Sequence, residues 1–210
     1  MSASNDLWAI VVAAGSGVRF GGPKHAALLD DDPLWVHASR AMTSGGVDEV
    51  VVVGDVPGGV AGGERRIDSV SLGLEHVPPS VEFVLVHDAA RPLTAPQLVG
   101  RVIDRLRVGD VAGVVPVVPV ADTLKHVAGD EVVETVDRSS LVAVQTPQGF
   151  RTDVLRKAHA SVRPDATDDA MLVEAIGGRV VTVAGDPGNL KVTYPEDLEL
   201  ARLLRSVDRG

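Results

Sequence analysis

The chain has 210 residues, 45% apolar and only 3% aromatic, and a formal net charge of −9. This length can bury a core without staples, and the absence of cysteine excludes disulfides, thiolate metal sites and a cysteine nucleophile. The acidic balance argues against nonspecific binding to nucleic acid or membrane, so any anionic ligand needs positive charge gathered locally.

The first apolar run, Leu7–Val12 (LWAIVV), predicts a buried parallel strand. The residues before it have no basic stretch, and the longest apolar segment, 111–121, is too short to cross a bilayer and holds Pro116 and Pro119. A cytoplasmic protein is expected.

The strand feeds a glycine-rich loop, 13–24 (AAGSGVRFGGPK). Backbone N–H groups after a strand are placed to cradle phosphates, and Arg19 and Lys24 add two cations. Spacing tests which loop this is. The dinucleotide fingerprint G-x-G-x-x-G fits Gly15 and Gly17 but meets Phe20 at its third glycine. The nucleoside-triphosphatase loop fits Gly17 and Gly22 but meets Pro23 where lysine is required. Proline has no N–H to offer, so neither known loop applies.

Further strands are predicted at Glu49–Val53, 83–87, 112–118, 142–146 and Val180–Ala184. Helices are expected at 33–43 with Asp32 as cap, at 67–76, Pro96–Arg107, Thr152–Ala160, 168–176 with Thr167 as cap, and 195–206. This alternation predicts an α/β fold, a parallel-rich sheet with helices on both faces, over 1–210 as one domain. The stretch 57–63 (PGGVAGG) reads as a loop. Residues 123–136 (TLKHVAGDEVVETV) break the pattern with a hairpin signal around Gly129. They are too polar for core, and a projecting arm over about 122–138 would serve dimerisation or stand as a solvated hairpin.

An ordered set of motifs follows the loop. It comprises Gly62-Gly63-Glu64-Arg65-Arg66-Ile67-Asp68-Ser69-Val70, then His87-Asp88-Ala89-Ala90-Arg91-Pro92. Asp122-Thr123-Leu124-Lys125, Val136-Asp137-Arg138, Gln145-Thr146-Pro147-Gln148, Thr167-Asp168-Asp169-Ala170 and Lys191-Val192-Thr193 come after it. Together with AAGSGVR and Pro23-Lys24, the set resembles the 2-C-methyl-D-erythritol 4-phosphate cytidylyltransferases of the non-mevalonate isoprenoid pathway, over nearly the whole chain.

The resemblance implies a Rossmann-like nucleotidyltransferase fold. It also implies a magnesium-dependent reaction of CTP with the polyol phosphate, giving 4-diphosphocytidyl-2-C-methyl-D-erythritol and pyrophosphate. Such a transfer asks mainly for positioning and charge neutralisation. By resemblance, Arg19, Lys24 and Lys191 are the catalytic cations. Ala13, Ala14, Gly15, Gly63, Glu64, Ser69, Asp88 and Ala89 bind CTP, and Asp88 is the magnesium ligand. Arg91, Thr123, Arg138 and Thr167 bind the acceptor, with the arm crossing to the second subunit of a homodimer. His87 reads as structural, turned away from Asp88 by strand alternation. Ser69 has a second reading as a hydroxyl that satisfies local backbone. Asp168 is either an acceptor contact or ordinary first-turn acid.

Three positions depart from the family pattern: the segment before Gly62 is short, Glu64 stands where aspartate is frequent, and His25 stands where glutamine is common. Two other functions stay open on the residues: a ribitol 5-phosphate cytidylyltransferase on the same framework, and a nucleotide-binding regulatory protein without catalysis.

Overall fold

The computed structural model describes residues 5–15, 17–22, 24–161 and 166–208. Ser16 and Pro23 of the glycine loop lie outside the described residues. The elements in chain order are β1 (Leu7–Val12), β2 (Leu28–Leu29), β3 (Asp32–Pro33), α1 (Leu34–Ser44), β4 (Glu49–Val53), α2 (Arg66–His76), β5 (Phe83–Asp88), α3 (Pro96–Arg107) and β6 (Gly113–Pro119). There follow β7 (Leu124–Ala128), β8 (Glu131–Val136), β9 (Val142–Val144), β10 (Gln148–Arg151), α4 (Thr152–Ala160), α5 (Asp169–Ala175), β11 (Val180–Ala184) and α6 (Pro195–Asp208).

Six strands form the body of one sheet in the order β11-β6-β10-β5-β1-β4, and β9 joins it as a seventh strand against β6. β1 runs parallel to β4 and β5, and β11 parallel to β6. β10 lies antiparallel between β5 and β6, so the sheet is mixed at its centre.

Period two sorts the strand side chains onto two faces. Ala9, Val11, Phe83 and Leu85 join a core with Ala38, Met42, Val99, Val102 and Leu106 of α1 and α3. Ile10, Val84 and Val86 join a second core with Val70, Leu74, Leu155, Leu172 and Val173 of α2, α4 and α5. Each buried Val, Leu, Ile, Phe or Met among them contributes about 1.5–3 kcal/mol. Gly73 lets α2 lie close to β1, because a Cβ there would meet Ile10 Cγ2 at 2.8 Å. A third, smaller cluster of Leu29, Leu34, Val192, Leu198 and Ala201 fastens α6 and the segment before it to the body.

Four expectations need correction. The predicted strand 142–146 is only β9, and the chain resumes as β10 after an interruption at 145–147 that frees side chains for the site. Asp32 does not cap α1; Pro33 holds the cap position and Asp32 pairs with Arg40 instead. Asp168, not Thr167, caps α5, its Oδ1 accepting from Met171 N at 3.0 Å. α2 begins at Arg66, one residue early, because Asp68 accepts from Arg65 N and secures the first turn.

The arm is the hairpin β7–β8, closed by Gly129 with φ 64°. Val127, Val132 and Val133 on it are 54–61% exposed, and Val142 and Val144 of β9 are exposed as well. Among the described residues, no helix is long and apolar enough to cross a membrane.

Candidate active site

A cavity of about 300 Å³ opens at the carboxyl ends of β1 and β5, where open α/β sheets place their ligands. Val12 to Gly15 leave the end of β1, and Asp88, Ala89 and Ala90 leave the end of β5. Gly63, Glu64, Arg65, Arg66 and Ser69 come from the entry to α2, and Lys24, His25 and Lys191 complete the lining. Lys24, Arg65, Arg66 and Lys191 face Glu64 and Asp88. A strongly acidic chain has thus gathered cations at one place, as an anionic ligand requires.

The glycine loop folds back on itself. Phe20 N and Gly22 N both donate to Gly17 O, at 2.8 and 3.2 Å. Gly17 has φ 63°, and a Cβ there would lie 1.8 Å from Gly22 O, so only glycine fits. The turn leads to Lys24, whose Nζ donates to Val192 O at 3.1 Å. Burial, and then repulsion from Lys191, holds the Lys24 ammonium below the usual lysine value. Arg19 lies outside the cavity lining, exposed, its guanidinium 5.9 Å from the Tyr194 ring centroid. Lys24 and Arg19 therefore close the loop onto the 191–194 segment at two points.

That segment is held from beneath. Val192 N donates to Ala90 O at 2.8 Å. Buried Asn189 donates through Nδ2 to Thr146 O at 2.8 Å, and its carbonyl accepts from Arg91 Nη1 at 2.7 Å. Lys191 projects from this support and donates through Nζ to Asp88 Oδ2 at 2.7 Å.

Asp88 sits at the base of the cavity. Its other oxygen accepts from Arg66 Nε at 2.9 Å. Burial would raise its carboxyl, but Arg66 and Lys191 outweigh burial and hold it well below the carboxylate range. Its backbone N–H donates to Thr146 Oγ1 at 3.1 Å. Thr146 Oγ1 in turn meets His87 Nδ1 at 2.9 Å, and His87 Nε2 meets Arg91 O at 3.3 Å. A carbonyl only accepts, so Nε2 carries the proton and Nδ1 accepts from the Thr146 hydroxyl. Burial pushes His87 down to about 4, leaving it neutral. His87 is a support for Asp88, not a reacting group.

Ser69 Oγ accepts from Gly63 N and donates to Arg65 O, both at 3.1 Å. The hydroxyl thus shapes the entry to α2, the second of its two sequence readings, while Ser69 also borders the cavity. A Cβ on Gly63 would fall 2.4 Å from Asp68 Cβ, so glycine there is required by close approach.

Every residue expected to bind the nucleotide lines this cavity, together with Lys24 and Lys191. The expected acceptor residues do not. Arg91 is buried, with burial lowering its guanidinium, and its Nη1 is committed to the Asn189 carbonyl. Thr123 and Thr167 are exposed. Arg138 is also exposed, and its Nη1 donates to Val120 O and Ala121 O at the root of the arm. Asp168 is spent on the α5 cap and on Gln148 Nε2, at 2.9 Å.

Sequence reasoning missed Arg66 and Asp169. Arg66 lines the cavity and bridges Asp88 to Asp169, whose Oδ2 it meets through Nη1 at 2.6 Å. The only available signal was a second arginine beside Arg65 in the motif before α2. For magnesium, the lining offers the carboxylates of Asp88 and Glu64, Asp88 being the buried one at the end of β5, and no group of three or more metal-ligating side chains is gathered among the described residues. Among the described residues each Asp88 oxygen carries one hydrogen bond, which leaves it lone-pair capacity for a cation. This donor set fits a hard cation that takes most of its ligands from phosphate and water.

The family model described as IspD, 2-C-methyl-D-erythritol 4-phosphate cytidylyltransferase, matches residues 7–206. A relative of that name from Saccharopolyspora erythraea is 48% identical over 217 residues, covering 92% of this chain and 96% of its own. Another from Rhodococcus opacus is 47% identical over 213 residues, covering 93% of each. The crystal structure of the Thermus thermophilus cytidylyltransferase superposes with a TM-score of 0.81 at 35% identity, covering 94% of this chain and 98% of that one. The chain belongs to the 2-C-methyl-D-erythritol 4-phosphate cytidylyltransferase family.

Proposed function

We propose that this chain transfers the cytidylyl group of CTP to 2-C-methyl-D-erythritol 4-phosphate in isoprenoid precursor synthesis. An oxygen of the acceptor phosphate attacks the α-phosphorus in line. The bond to the β-phosphate oxygen breaks, and pyrophosphate leaves with that electron pair. The observation that carries this reading is the convergence of Lys24 and Lys191 from opposite ends of the chain on one cavity. The chain supplies geometry and charge, which is what such a transfer demands.

In this reading the backbones of residues 13–15 and Gly63 receive the base and ribose, where a purine is too large. Lys24 holds the triphosphate, and Arg19 leaves the Tyr194 ring to join it. Lys191 exchanges Asp88 for a phosphate oxygen at the reacting centre. Asp88 is the residue that would hold magnesium, which when bound supplies charge neutralisation on the triphosphate. Arg91, Thr123, Arg138 and Thr167 remain the proposed acceptor contacts. Thr123 and Arg138 would act in the second subunit of a cytoplasmic homodimer, docked through the exposed valines of the arm and β9.

The test is product formation. Purified protein with CTP, the polyol phosphate and magnesium should yield the cytidine diphosphate alcohol, seen by phosphorus NMR as a new diphosphodiester. Removing magnesium with EDTA should stop turnover, and adding it back should restore it. No diphosphodiester with an active control enzyme present would overturn the proposal, and turnover unaffected by EDTA would remove magnesium from it.

A further inference from the structure

Behind Asp88 lies a chain of ionisable groups whose far members, Asp169 and His159, the proposed reaction does not use. His159 on α4 approaches Asp169 Oδ1 through Nε2 at 3.0 Å. Asp169, at the start of α5, meets Arg66 Nη1 through Oδ2 at 2.6 Å, and Arg66 Nε meets Asp88 at 2.9 Å. The Asp169 side chain is 0% exposed and that of His159 only 4%. Neither borders the cavity. A buried carboxylate is costly unless paired and fully hydrogen-bonded, and here both oxygens have partners. Burial would raise its carboxyl, but Arg66 and His159 outweigh burial and keep it ionised. An ionised carboxylate only accepts, so His159 Nε2 donates.

We propose that the buried Asp169–His159 pair is a positioning device for this site, fixing Arg66 so that Asp88 keeps its orientation when Lys191 leaves it for the substrate. The proposal rests on the reading above, in which Lys191 gives up Asp88 during the reaction. At that moment Asp88 loses one of its two side-chain cations, and Arg66 is the side chain left to hold its orientation toward the magnesium it would bind. A guanidinium held through Nε alone can swing about its long stem. Held at Nε by Asp88 and at Nη1 by Asp169, its plane is defined by two carboxylates on different elements. His159 fixes the second carboxylate from α4. The contacts so arranged tie α2, α4 and α5 to the end of β5, where the reacting phosphates gather. Asp169 touches no substrate and acts through Arg66.

The experiment measures kcat and both Michaelis constants for Asp169→Asn, Arg66→Gln and the double variant, with CTP affinity by calorimetry alongside. Asp169→Asn should lower kcat by about tenfold or more while the Michaelis constant for CTP moves less than about threefold, because the interaction matters most once Lys191 has moved. In the Arg66→Gln background the same change should add nothing, since Asp169 acts only through Arg66. His159→Ala should lower kcat in the same direction, with His159→Gln, which keeps a donor, retaining more. The His159 variants decide the question if Asp169→Asn does not fold. An unchanged kcat in folded Asp169→Asn or His159→Ala, or independent effects in the cycle, would overturn the proposal. A wild-type protein that neither turns over the substrates nor binds CTP would remove the functional reading and this proposal together. Normal wild-type turnover beside unaffected variants would remove this proposal alone.

Discussion

Acidification should destabilise the protein through His87 before its carboxylates are protonated. The ring is fully buried and already saturated: Nε2–H reaches the Arg91 carbonyl and Nδ1 takes the Thr146 hydroxyl proton. A second ring proton would put a charge in this buried site and force the Thr146 hydroxyl to turn from donor to acceptor. Burial accordingly lowers this histidine from 6.5 to about 4. Between those values the unfolded chain binds the proton and the folded chain does not, so stability falls as pH falls. The shift corresponds to about 2 kcal/mol lost by pH 5 and about 3 kcal/mol by pH 4, relative to neutral pH. Asp88 and Asp169 act in a lower window. Their carboxyls are held below 3.8 in the fold, so their contribution is present above that value and is lost as pH falls further. Urea unfolding at about pH 7.5 and about pH 5 measures the loss, with His87→Gln as a control that cannot titrate. The wild type should lose about 2 kcal/mol more than the control. Equal losses in both proteins, or an NMR protonation midpoint for His87 near the ordinary value, would refute the argument.

Other substitutions test the site. Lys24→Ala and Lys191→Ala should each cut turnover by about a hundredfold or more with circular dichroism unchanged, since each removes a cation from the phosphate centre. Ser69→Ala takes the acceptor from Gly63 N–H, while Arg65 C=O keeps its bond from Ser69 N; the loss costs about 1–3 kcal/mol and should raise the Michaelis constant for CTP roughly tenfold. CTP should be turned over in preference to ATP, GTP and UTP; equal use of all four would contradict the base pocket placed between residues 13–15 and Gly63. If the arm completes the partner's site, inactive Lys24→Ala and Arg138→Ala proteins should recover part of their activity when mixed under subunit exchange. Absence of rescue in demonstrated heterodimers would place the acceptor site within one chain.

Much of the framework was legible because local patterns fixed it. β1, β4, β11, α3 and α4 begin and end where the apolar period and the glycine and proline breaks place them. β10 was not legible. Gln148-Gly149-Phe150-Arg151 has no apolar alternation, and its place between β5 and β6 depends on Gly149, where a Cβ would meet Val102 Cγ1 at 2.8 Å. The choice of Asp168 over Thr167 as helix cap turned on one residue, at the scale where sequence signals blur. In the site, the glycine loop, Asp88 and Lys191 were readable because each lies in a compact motif. The Arg66–Asp169 pair joins residues 103 positions apart. Nothing near either residue announces it, since it exists only once α2 and α5 pack on the same face. The same holds for His87, whose partners Thr146 and Arg91 meet it through the sheet and the turn after it.

The central claim is most directly tested by the initial rate of pyrophosphate release from CTP with 2-C-methyl-D-erythritol 4-phosphate, beside ribitol 5-phosphate in the same preparation. Release should be rapid with the first acceptor and slight with the second, and lost in Lys24→Ala and Lys191→Ala. Faster release with ribitol 5-phosphate would contradict the assigned acceptor, and no release with either from folded, magnesium-supplied protein would contradict the assigned chemistry.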